Sequence, residues 1–127
     1  MAKREIIHTT QLPPANPSYS QAVKVGDVVY AAGQIGVDPK TGKLVSDNVA
    51  DQTRQALENL SVILRTAGSS LEKVAKTTVY IVDMNQWGPM NEVYMSYFRQ
   101  SPPAKTTVEV SKLALGALVE IEAIAAT

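Results

Sequence analysis

Near the C-terminus, Glu120 and Glu122 stand two residues apart in Val119-Glu120-Ile121-Glu122-Ala123. In an extended chain that spacing puts both carboxylates on one face. A carboxylate on a partly buried face can orient water or act as a general base. The commoner reading of such a pair is structural, hydrogen-bonded or ion-paired at an interface. Lys105 follows Pro102-Pro103-Ala104 and opens another extended run. A lysine at a strand mouth can hold a carboxylate or phosphate as a point charge, although its position alone does not separate it from an ordinary solvated lysine. Ala32-Gly33-Gln34-Ile35-Gly36 lacks both the spacing and the following helix of a dinucleotide fingerprint. Its glycines still allow backbone N–H groups close to a ligand, and they equally suit a bulge or turn. Tyr19 and Tyr94 could stack on or hydrogen-bond a ligand. Tyr94 fits a helical apolar stripe and reads as core, whereas Tyr19, beside a proline-rich loop, reads as exposed.

The composition removes many other chemistries. The chain has no cysteine, which excludes disulfides, thiolate metal sites and cysteine nucleophiles. His8 is its single histidine, so no site needing two imidazoles is available and no metal centre is expected. Twelve basic and twelve acidic side chains cancel, which argues against nucleic acid or an anionic membrane as partner and mildly favours self-association. No apolar run is long enough to span a bilayer, and Met1 to Glu5 does not open a signal peptide. The expectation is a single domain over residues 1–127, soluble and cytoplasmic, large enough for an ordinary core.

The elements that must position these residues follow from patterning. Three prolines make residues 9–18 an irregular loop. Arg4 to His8 reads as a short edge strand. Ser20 to Val25 and Val28 to Gln34 read as strands joined at Gly26-Asp27, and Asp38 to Gly42 as a turn. Val49, Thr53, Ala56, Leu57, Leu60, Ile63, Leu64 and Ala67 recur at helical steps, with Asp47 or Asn48 as cap and Gly68 as stop. Val74 to Val82 reads as a strand. Asp83 offers a cap to a second helix with Trp87, Met90, Val93, Tyr94, Tyr97 and Phe98 as its stripe. Lys105 to Val110 and Leu118 to Ala125 complete the sheet. In the last strand Val119, Ile121, Ala123 and Ala125 share a face, leaving Leu118, Glu120, Glu122 and Ile124 opposite. Two helices cover one face of such a sheet, giving an α+β sandwich whose other face carries apolar groups such as Val28, Tyr30, Leu118 or Ile124. Exposed apolar surface of that extent marks an interface, so a closed homo-oligomer is expected.

Taken together and in order, Tyr19-Ser20-Gln21-Ala22-Val23, Ala32 to Gly36, Lys76-Thr77-Thr78-Val79, Asn91-Glu92-Val93-Tyr94, Pro103-Ala104 and Val119 to Ala125 closely resemble the RidA/YjgF family. The resemblance implies a chorismate-mutase-like α+β fold, a mixed sheet with two helices on one face, assembled as a homotrimer with clefts between subunits. It implies metabolite damage control: deaminase hydrolysis of reactive 2-imino and 2-enamino acids to 2-oxo acids and ammonia, with no cofactor. Carried over by position, Glu120 orients water, while Tyr19, Ala32, Gly33 and Asn91 bind the substrate. Lys105 stands where the family has a carboxylate-clamping arginine. Ala32 replaces a serine, and Pro17-Ser18-Tyr19 replaces Gly-Pro-Tyr. An ammonium lacks the planar two-pronged grip of a guanidinium, so the resemblance leaves two alternatives: a weakened deaminase, or a protein binding a small carboxylate metabolite such as a 2-oxo acid. The family is also associated with translation inhibition, RNA cleavage and chaperone-like roles. The neutral charge argues against the RNA readings.

Overall fold

The structure, a computed structural model, describes residues 3–127. One sheet contains β1 (Arg4–Ile7), β2 (Ala22–Val25), β3 (Val28–Ile35), β4 (Val74–Ile81), β5 (Ala104–Glu109) and β6 (Val119–Ala126), in the order β1-β2-β3-β6-β4-β5. Neighbours are antiparallel except β4 and β5. Helices α1 (Val49–Thr66) and α2 (Trp87–Tyr97) pack on one face of it. Helix α2 is the crossover that the parallel pair β4 and β5 requires.

Local chemistry explains most boundaries. Gly26, at φ +59°, makes the tight turn that pairs Val25 with Val28. The Asn48 side chain accepts from the Asp51 amide at 3.0 Å and starts α1. Gly68, at φ +83°, follows its end. The whole apolar stripe expected for this helix is buried, from Val49 to Ala67. Two buried polar residues of α1 serve backbone groups leaving the sheet: Gln52 Nε2 donates to Ser46 O and its Oε1 accepts from Leu118 N, while Asn59 Nδ2 donates to Val37 O. Asp83 caps a short 3-10 turn, Met84–Gln86, rather than α2 itself, which begins at Trp87.

The second helix departs from its expected stripe at one end. Met90, Val93, Tyr94 and Phe98 are buried, but Trp87 is 42% exposed. Its neighbour there is a lysine of the edge strand β5 rather than an apolar strand residue. Val79, Ile81, Val119, Ile121, Ala123 and Ala125 face the helices and form the core with the α1 stripe. The opposite face is open. Ile6, Val23, Tyr30 and Ile124 lie in register across four strands, with Tyr30 and Ile124 exposed. Leu118, one of the residues considered for that face, instead packs against the core.

Candidate functional site

Glu120 sits on the open face, between Ile35 of β3 and Tyr80 of β4. Beside it the β3–β6 ladder is interrupted between Ala31 and Gln34, and Ala32 turns its amide to Gln21 O of the proline loop at 2.9 Å. Gly33 lies in this bulge. A Cβ there would collide with the Glu120 carboxylate, meeting its Cδ at 2.8 Å, so the glycine makes the space the carboxylate occupies. Gly36 has a different purpose. Its missing side chain lets α1 approach, because a Cβ would stand 2.5 Å from Gln52 Cα and 2.6 Å from Gln52 O. Burial first, and the Glu122 carboxylate second, push the Glu120 carboxyl above the usual carboxylate range. Burial, with Glu122 and Glu120 adding to it, also raises the Tyr80 phenol.

The proline loop brings Tyr19 to the same region. Gln21 is buried and holds the loop at three points: its Oε1 accepts from Thr9 N at 2.7 Å, and its Nε2 donates to Thr9 O and Pro13 O. Tyr19 itself is exposed. It lines a cleft of about 260 Å³ with Gly33, Gln34, Leu12 and Leu115. Leu115 holds a left-handed backbone at φ +57° and is 69% exposed.

Lys105 and Asn91 meet elsewhere. Lys105 pairs in register with Thr77, a buried residue of the helix-facing row. Its side chain therefore runs inward from the edge strand, against α2. Its ammonium donates to Asn91 Oδ1 and stands 4.3 Å from the centre of the Tyr94 ring and 5.2 Å from that of Trp87. The Tyr94 hydroxyl is 2.6 Å from Thr77 Oγ1, which fixes the ring beneath the lysine. Partial burial lowers the Lys105 ammonium below its ordinary value. Lys105, Asn91 and Tyr94 line a cavity of about 410 Å³ whose walls include no acidic side chain.

The structure thus groups the candidate residues in two. Tyr19, Ala32, Gly33 and Glu120 gather around the β3 bulge, and Lys105 and Asn91 gather at the β5 edge. Thr77 and Lys105 face the helices, while Tyr80 and Glu120 face away, so the cation and the carboxylate lie on opposite faces of one sheet. A ligand that used both would touch two copies of the chain. His8 is exposed, and among the described residues no group of three or more His, Cys, Asp or Glu side chains could hold a metal ion. Sequence reasoning missed Tyr80 beside the glutamates, the Gln21 clamp, and the aromatic bed of Trp87 and Tyr94 under Lys105. Alternation along β4 separates Thr78 and Tyr80 from Val79 and Ile81, but nothing local says that β4 pairs with β6.

Known proteins resemble the chain along its length. The family model described as Endoribonuclease L-PSP matches residues 9–127. A RutC family protein of Pyrococcus horikoshii is 52% identical over 122 residues, covering 96% of this chain and 97% of that protein. The 2-iminobutanoate/2-iminopropanoate deaminase of Mus musculus is 48% identical over 122 residues, covering 96% of this chain and 90% of its own. The solved structure of a Yersinia pestis protein of the conserved Rid family, YyfA, superposes with a TM-score of 0.94 at 43% identity, covering 98% of this chain and 100% of that one.

Proposed function

Because the chain belongs to the RidA/YjgF family, we propose that it hydrolyses 2-imino and 2-enamino acids to 2-oxo acids and ammonia, in clefts between the subunits of a homotrimer. The observation that carries this reading is the Lys105 ammonium, held by Asn91 in the wall of a cavity without a carboxylate partner. A partly desolvated cation without a carboxylate partner is what an incoming substrate carboxylate needs. The deaminase activity named for the mouse relative supports reading that anion as a 2-imino acid.

The imine carbon is already electrophilic, so the protein has three tasks: to hold the carboxylate, place a water, and move protons. Lys105 holds the carboxylate, with Asn91 fixing the ammonium. Glu120, supplied by a neighbouring copy together with Gly33, Ala32 and Tyr19, accepts a proton from water as its oxygen bonds to the imine carbon. Glu120 passes that proton to the imine nitrogen to complete the carbinolamine. It then takes the hydroxyl proton as the carbonyl forms, and the carbon–nitrogen bond breaks as this second proton reaches the nitrogen, which leaves as ammonia. Overall, imine and water become 2-oxo acid and ammonia with no redox change. The raised carboxyl of Glu120 suits it to both halves of this exchange.

The test is release of ammonia and 2-oxo acid from imines generated in situ by an amino-acid oxidase, for the natural chain and Lys105→Arg. Turnover by the natural chain supports the reading, and absence of turnover in both proteins rejects it. A second reading is favoured by the lysine itself, which grips a carboxylate less firmly than arginine: the cleft binds a 2-oxo acid without turnover. Recovery of turnover only in Lys105→Arg, with 2-oxobutyrate binding intact in the natural chain, is the result that selects it.

A further inference from the structure

The cavity that contains Lys105 has a second cation. Arg99 lines it too, two residues beyond the end of α2. Among the described residues the one ion pair is Arg54 with Asp51, so neither Arg99 nor Lys105 is neutralised by a carboxylate. Arg99 also borders an adjoining cavity that Glu72 lines, without pairing to it. Beyond the cations, Asn91 and Tyr94, the walls are apolar, made by Met95, Phe98, Pro102 and Pro103.

The fold roots the two cationic residues at different points along α2. The Lys105 ammonium is fixed beside Asn91, in the second turn of α2. From Asn91 to Tyr97 the helix rises roughly 9 Å, and Arg99 follows that end. The two cationic residues therefore join the cavity from separate points along α2, an arrangement open to two anionic groups joined by a short carbon chain. Two cations set in an otherwise largely apolar lining are complementary to a dicarboxylate. No acidic side chain lines this cavity to compete for either charge within it.

We infer that this cavity takes dicarboxylic 2-oxo and 2-imino acids, with the carboxylate next to the reacting carbon on Lys105 and the distal carboxylate on Arg99. The inference rests on the proposed function for the role of Lys105. It adds Arg99 as the residue that sets specificity, through contact with a part of the ligand remote from the reacting carbon.

Calorimetric titration with 2-oxoglutarate and 2-oxopentanoate, which share a carbon count and differ by one carboxylate, tests it directly. The natural chain should bind 2-oxoglutarate ~10-fold tighter or better, the size expected of one charge-assisted contact. Arg99→Gln should bring the ratio of the two affinities close to one, and Arg99→Lys should restore most of it. Equal affinity for the two acids, a ratio unmoved by Arg99→Gln, or no binding of either acid overturns the inference. Ammonia release from 2-iminopropanoate, measured on the same preparation, reports separately on the deaminase reading: its absence rejects that reading, whereas the affinity ratio decides the role of Arg99.

Discussion

The Glu120 carboxylate occupies space that exists because residue 33 has no side chain. Gly33→Ala therefore displaces the far end of a flexible glutamate rather than any backbone. Its expected effect is a fall in kcat/KM of ~10²-fold, the scale of one general-base contribution, with little change in thermal midpoint. Loss of both together would show that Gly33 serves packing rather than the carboxylate. In the proposed reaction Glu120 must be ionised to take a proton from water, and its carboxyl is raised by burial and then by Glu122. Activity is thus lost as pH falls through a value above the ordinary carboxylate range. Glu122→Gln removes the second cause and should move the acidic limb of the kcat/KM profile to lower pH. On the alkaline side the ammonium of Lys105 must stay protonated, and burial lowers it. Activity is lost as pH rises through a value below that of an ordinary lysine, and Lys105→Arg should carry this limb beyond the measurable range.

At the scale of elements, the two glycines of Ala32 to Gly36 give opposite expectations. Gly36 faces the backbone of Gln52, fixed in the second half-turn of a long helix with no room to yield. Gly36→Ala should cost about 1–3 kcal/mol by overpacking, read as a lower urea midpoint at unchanged slope. An unchanged midpoint would mean that α1 moves aside freely. This contrast also marks what the sequence makes legible. The helical period over Val49 to Ala67, its asparagine cap and its glycine stop are local signals, and they locate α1 to within a residue. Alternation likewise assigns Glu120 and Ile124 to the face away from the core. What is not local is pairing: that β6 enters between β3 and β4, and that Lys105 of an edge strand points inward, both depend on contacts distant in sequence. For the same reason Gly33 and Gly36 look alike as a motif, yet one clears a carboxylate and the other a helix. The family resemblance supplies the candidate site residues, and geometry divides them between two faces.

For the whole molecule, an open sheet face with Tyr30 and Ile124 exposed in one cross-strand row needs covering. The proposed homotrimer would cover it and bring the Glu120 of one copy toward the Lys105 of another. Ile124→Asp should shift sedimentation equilibrium from trimer to monomer and abolish turnover with it. A trimer that survives this change would locate the interface elsewhere. With twelve basic and twelve acidic side chains, no steep salt dependence of RNA binding is expected. The measurement that bears most directly on the account is subunit complementation. Glu120→Gln and Lys105→Ala chains, each inactive alone, are unfolded together at equal amounts, refolded, and assayed for ammonia release from 2-iminopropanoate. If each cleft takes its lysine from one copy and its glutamate from another, random assembly leaves about a quarter of the clefts intact, and activity returns to that fraction of the natural chain. No recovery, while the natural chain refolded alongside is active, would contradict a site shared between subunits.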